Sequence, residues 1–112
     1  MKIYHQELKE NNNFEKFGEQ FTKIFGNDEK HIYIYKRNKN NKIFSYEVIK
    51  GVKHKNPDGN YVYAYPSSEQ FGTYGFYIMG GNKNYALKRI CYHLNDFDAD
   101  VCNEFKNSNI VL

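Results

Sequence analysis

Residues 31–50, HIYIYKRNKNNKIFSYEVIK, decide the fold: two runs with apolar side chains at every second position flank a short polar stretch. In His31 to Lys36, Ile32 and Ile34 fall on one side and Tyr33 and Tyr35 on the other; in Lys42 to Lys50, Phe44, Tyr46 and Val48 share a side. A period of two is that of an extended strand, whose successive side chains point to opposite faces. The polar, Asn-bearing residues Arg37 to Asn41 predict the turn that joins the two runs into a β-hairpin.

Toward the C-terminus, Asn56-Pro57-Asp58-Gly59-Asn60 is a second turn signal, and Tyr61 to Tyr65 reads as a third strand ended by Pro66. Ser67 to Glu69 predicts a short helical turn that Gly72 stops, and Tyr74 to Met79 a fourth strand. Gly80-Gly81 breaks that strand. Ala86, Leu87, Ile90, Cys91 and Leu94 then recur with the spacing of one helix face. Phe97, Val101 and Phe105 extend the stripe, with Asp96 to Asp100 as the point where it can break, and Ile110 to Leu112 either docks or forms a terminal strand.

Toward the N-terminus, Phe14, Phe17, Phe21, Ile24 and Phe25 fall at i, i+3, i+7, i+10 and i+11, between Asn11 to Asn13 and Gly26. That spacing predicts an amphipathic helix. Met1 to His5 reads either as a short strand or as a frayed end. The expectation is one α+β domain over residues 1–112: a three- to four-stranded antiparallel sheet with an N-terminal and a C-terminal amphipathic helix packed on one face, and tyrosines on the other.

Composition narrows the function classes. With 11 Tyr, 9 Phe and no Trp, the core must be built largely from rings, which favours strands. The balance of 14 Lys to 2 Arg, with 15 Asn, is what AT-rich codons produce and points to an AT-rich bacterial or phage genome. The net charge of +3 hides a segregation: residues 30–55 carry eight basic groups against Glu47 alone, and residues 96–106 four acids against Lys106. A basic face attracts phosphate or an acidic protein surface, or is a solvated hairpin edge protected by Lys. The absence of a long apolar run or a charged-then-apolar leader predicts a cytoplasmic protein that does not span a membrane. Cys91 and Cys102 fit free thiols in a reducing compartment.

No catalytic, metal or cofactor motif stands out. Asp96, Asp98 and Asp100 imitate the first half of a calcium loop, but Val101 replaces the required Gly and Asn107 the bidentate Glu. Cys91 and His93 lack two further zinc ligands, and Cys91 lies in an apolar stripe. Gly80-Gly81 opening a helix, with Lys83 near, is a weak anion-site signal. The strongest candidates are Lys36, Arg37, Lys39, Lys42, Lys53 and Lys55 as binding charges and Tyr33, Tyr35, Tyr61 and Tyr63 as aromatic anchors. Such a set suits a protein-binding hot spot or base stacking on single-stranded nucleic acid. Asp96, Asp98, Asp100 and Glu104 form an alternative acidic contact.

The block Tyr65-Pro66-Ser67-Ser68-Glu69-Gln70-Phe71-Gly72-Thr73-Tyr74-Gly75-Phe76, preceded by the Tyr46-Glu47-Val48 strand, resembles P-S-[SN]-E-x-[FW]-G-x-[YW]-[AG]-[WF] in small proteins of Bacteroidetes genomes, their phages and mobile elements. The resemblance covers roughly residues 44–95. Phe76 departs from the common Trp, and Gly80 to Asn84 from the usual helix entry. The family has no established activity. Its origin and size imply a non-enzymatic protein that engages a host protein or ribonucleoprotein, for example an anti-CRISPR inhibitor acting on a CRISPR effector, an RNA-guided nuclease. The other expectation is an RNA- or single-stranded-DNA-binding protein that uses the same basic and aromatic residues.

Overall fold

The structure, a computed structural model, describes residues Tyr4 to Leu112. It is α+β: seven strands in two antiparallel sheets are followed by two helices. The main sheet has the order β1-β2-β3-β4-β7, from β1 (Asn13–Lys16), β2 (Glu19–Asn27), β3 (Ile32–Lys39), β4 (Lys42–Lys50) and β7 (Gly75–Met79). β5 (Val52–Lys55) and β6 (Tyr61–Ala64) pair as a separate two-stranded sheet. α1 (Lys83–Phe97) lies against β4 and β7, and α2 (Ala99–Asn107) against α1. No helix among the described residues is long and apolar enough to cross a membrane.

The hairpin over 31–50 forms as its alternation requires, Ile34 opposite Val48 and Tyr35 opposite Glu47. Its turn is only Asn40-Asn41, both at positive φ (53° and 64°), the conformation whose twist matches paired strands and which Asn tolerates. The short turn at Ser68–Gln70 and the strand at Gly75–Met79 also form as expected, and Ser67 and Gln70 close a capping box. Asp98 breaks the C-terminal stripe into two helices, its carboxylate accepting from the Asp100 and Val101 amides as the cap of α2. The tail docks: Ile110 and Leu112 pack on the core.

The N-terminal helix is corrected: Phe14 to Phe25 is the β1–β2 hairpin, and both helices lie at the C-terminal end. Phe17 and Gly18 take positive φ (57° and 74°) and form its two-residue turn, so Phe17 points to solvent instead of joining a core stripe. Phe14 stacks on Phe21 across the pair, their centroids 4.5 Å apart. The register shifts between Lys23 and Phe25, leaving Ile24 as a bulge. That extra residue sends Phe21 and Phe25 into different cores, although they are four apart. The expected three or four strands are seven. β5 has one apolar residue in Val-Lys-His-Lys, too little for alternation to register, and β6 pairs with it and not with β4. The segment Met1 to His5, read as a strand or a frayed end, lies mostly outside the described residues; Tyr4 and His5 belong to no strand.

Both faces of the main sheet are covered. Ile32, Ile34, Tyr46, Val48 and Ile78 meet Ala86, Ile90, Leu94, Val101 and Phe105 of the helices. On the opposite face Phe21, Tyr33, Tyr35 and Ile49 pack with Leu8, and Phe14, Tyr65 and Phe71 close over them. The tyrosine face is thus a second core. Gly51 marks where the chain leaves the main sheet: a Cβ there would meet the Tyr63 Cβ at 2.9 Å.

Candidate functional site

Tyr33 and Tyr35 are not surface anchors. Both are fully buried, the Tyr33 hydroxyl donating to Asp28 at 2.8 Å and the Tyr35 hydroxyl to the Asn11 carbonyl. Burial pushes both phenols up in pKa, with Asp28 adding to the effect at Tyr33. The covering residues come from distant segments, which local alternation does not report.

The two remaining tyrosines lie on the small hairpin. Tyr61 is 59% exposed, and the Lys53 and Lys55 ammonium groups stand 4.6 and 5.9 Å from its ring centroid. Tyr63 is half-buried and stacks on His31 at 3.5 Å. Lys36, Lys39 and Lys42 belong to the other hairpin, where Lys39 Nζ lies 3.9 Å from Glu19. The predicted cations therefore divide between two elements.

Arg37 is committed inside the molecule and is not a free binding charge. Its Nε donates to the Glu19 carboxylate, and its Nη1 lies 3.4 Å from Glu47 Oε1. The guanidinium carbon sits 5.3 Å from the Phe21 centroid and 5.0 Å from that of Phe44. A register shift in the β3–β4 pairing leaves Phe44 opposite no residue, between Ser45 and Ile43, which are paired with Arg37 and Asn38. The Glu19 contacts raise the pKa of Arg37 against the effect of burial.

This ion cluster underlies a cavity of about 270 Å³ on the second sheet face. Phe17, Phe21, Tyr65, Pro66, Phe71 and Tyr77 wall it, Lys16 and Ser68 join the lining, and Arg37 and Glu47 contribute the charged groups. The Lys16 ammonium lies 5.3 Å from the Phe17 centroid and 6.0 Å from that of Tyr65. Glu47 is 2% exposed; its Oε1 also accepts from Ser45 Oγ at 3.3 Å, while its Oε2 is buried without a hydrogen-bond partner. Burial raises the Glu47 pKa, opposed by Arg37. In the sequence Glu47 is visible as the one acid of a basic stretch; that Phe17, Glu19, Tyr65, Phe71 and Tyr77 meet around it is not visible in local spacing.

Two of the four acids of the acidic stretch have structural partners. Asp98 caps α2 and lies 3.7 Å from Lys30, and Glu104 accepts from Asn27 Nδ2 at 2.8 Å. Asp96 and Asp100 are exposed. At the Gly80-Gly81 entry, Asn82 caps α1 by accepting from the Tyr85 amide at 3.0 Å, so one first-turn donor is already taken. Both cysteines are free. Burial pushes the Cys91 thiol up, away from the nucleophilic thiolate, and His93 stacks on Phe76 at 4.0 Å with its basicity lowered by burial and by Arg89. Among the described residues no group of three or more His, Cys, Asp or Glu is placed to hold a metal.

The chain matches no protein-family model, no curated protein and no solved structure.

Proposed function

We propose that this is a small, non-enzymatic binding protein that docks on a host protein or ribonucleoprotein in the cytoplasm and blocks it, an RNA-guided nuclease being the class its sequence resemblance favours. The observation that carries the reading is Phe17, which is 82% exposed at φ 57° in a two-residue turn. A left-handed backbone costs a bulky L-residue about 1–2 kcal/mol, and the exposed ring gains nothing from burial. The other tight hairpin fills the same two positions with Asn40-Asn41. A phenyl ring held out at the less suitable turn, beside an aromatic cavity, is the composition of a docking anchor.

Exposed Tyr74, Tyr77, Met79, Tyr85 and Tyr92 supply further interface-type surface, with the Arg89 guanidinium 4.8 Å from the Tyr92 centroid. A second reading, direct binding of RNA or single-stranded DNA, is favoured by Lys53 and Lys55 around Tyr61. Burial of Tyr33 and Tyr35 removes half of the aromatic set shared by both readings, and the docking reading is the one that Phe17 supports independently.

Affinity capture of the tagged protein from host lysate, with and without RNase, tests it. A stoichiometric protein that survives RNase and is lost with Phe17→Ala is expected. Recovery of RNA alone, with affinity falling steeply with salt, selects the second reading.

A further inference from the structure

The cavity beneath Phe17 has a chemistry of its own. Glu19 and Glu47 are both buried, yet among the described residues the only guanidinium between them is Arg37, which uses one oxygen of each. Lys39 approaches Glu19 from an exposed position, and among the described residues no donor hydrogen-bonds Glu47 Oε2. The buried part of the cluster thus holds two carboxylates to one cation, beside a space walled by aromatic rings. A buried carboxylate oxygen with no partner is costly, and a donor that reaches it recovers a charge-assisted hydrogen bond. Aromatic faces attract cations, most effectively where water is excluded. Arg37 already shows what this environment accepts, a guanidinium held against two rings and paired with Glu47.

We infer that the cavity is a receptor for an arginine side chain of the partner protein, whose guanidinium stacks on the aromatic wall and donates to Glu47 Oε2. This rests on the reading of the chain as a protein-docking module. Guanidinium suits the site better than ammonium because it is planar, weakly hydrated and carries several donors in a fixed fork. With an arginine bound, the buried charges balance, two carboxylates against two guanidinium groups. In the free protein Lys16, over the rings of Phe17 and Tyr65, is the resident cation of the wall and must swing aside. A bound arginine and Lys16 therefore compete, which gives the site a signature that damage to the fold does not reproduce.

The test is a titration of the isotope-labelled protein with N-acetyl-arginine amide, followed by amide chemical shifts, beside the lysine analogue, the neutral citrulline analogue and guanosine monophosphate. Saturable shifts at Phe17, Glu47, Tyr65 and Phe71 are expected with the arginine probe, and binding about tenfold weaker with citrulline or with Glu47→Gln. Lys16→Met is expected to tighten the arginine probe by about threefold, the size of one exposed cation–π contact. Should Glu47→Gln fail to fold, the citrulline comparison and Lys16→Met decide alone. Equal binding of citrulline, no saturable shift with arginine, weaker binding in Lys16→Met, or preference for guanosine monophosphate overturns the inference. A partner captured from lysate with undiminished yield by Lys16→Met, while the arginine probe leaves these amides unmoved, upholds docking and removes the arginine receptor. Probe binding with no captured partner does the reverse.

Discussion

Arg37 Nη1 and Glu47 Oε1 lie 3.4 Å apart on adjacent strands, two positions off the direct cross-strand pair that sets Tyr35 opposite Glu47. The diagonal contact, with the Glu19 bond, keeps two buried carboxylates in company. Arg37→Ala is expected to destabilise the fold by about 3 kcal/mol, the lower end for breaking a buried ion pair because part of the guanidinium reaches the cavity. Arg37→Lys keeps the charge and loses the fork, and its loss is expected to fall between wild type and Ala. Urea unfolding of the three proteins checks the order.

The same pair sets a pH dependence. Burial holds the Glu47 carboxyl above its ordinary value of 4.5, with Arg37 pulling the other way. The folded state then keeps a proton that the unfolded chain has released, so the contribution of Glu47 is fully present below about pH 4.5 and is lost as pH rises through the raised value. Stability of wild type relative to Glu47→Gln is therefore expected to be greatest below that pH and to decline above it. Paired thermal melts between pH 4 and pH 7 measure the slope, and a rising difference contradicts the assignment.

Phe17 separates stability from binding. Phe17→Asn places a residue tolerant of left-handed backbone at φ 57° and removes an exposed ring, so stability is expected to rise by about 1 kcal/mol while partner capture falls. Thermal unfolding and co-purification on the same samples check both halves. Unchanged capture removes Phe17 as the anchor.

Tyr35 and Tyr61 are expected to behave oppositely. Tyr35→Ala empties a core position and is expected to cost about 3–5 kcal/mol. Tyr61→Ala changes stability by less than about 0.5 kcal/mol. Its effect is on binding, and if nucleic acid is the ligand the loss appears in filter binding at low salt.

Gly26 sits directly across from Tyr33 in the β2–β3 pair, and a Cβ there would lie 2.8 Å from the Tyr33 ring. The ring is fully buried and hydrogen-bonded to Asp28, so it has no free direction in which to yield. Gly26→Ala is expected to destabilise by about 1–3 kcal/mol despite its better strand propensity, as read by denaturant midpoint.

The hairpin over 31–50 was legible because two signals agree there, the alternation in both runs and the polar, Asn-bearing stretch Arg37 to Asn41 whose last two residues form the turn at positive φ. Over 14–25 the signals conflict. Phe14, Phe17, Phe21 and Phe25 satisfy a helical period, and only the position of Phe17-Gly18 in a two-residue turn assigns them to strands. The bulge at Ile24 hides the alternation that would have corrected the reading. Lys53, Lys55 and Tyr61 do come together, on the small hairpin away from the cavity, although the strand that carries the two lysines has too little alternation to be read. The burial of Tyr33 and Tyr35 and the pairing of Arg37 were not legible, since what covers or pairs them arrives from Leu8, Asn11, Phe14, Glu19 and Tyr65.

The order of elements also sets the order in which the protein is made. The four strands β1 to β4 form an uninterrupted meander of neighbouring hairpins and can pair once Lys50 is clear of the ribosome. The residues that shield Ile32, Ile34, Tyr46 and Val48 come from the two helices, which end at Asn107. At ordinary synthesis rates the nascent sheet therefore shows a bare apolar face for roughly 3–10 s, the interval in which a chaperone is of use and a stalled chain aggregates.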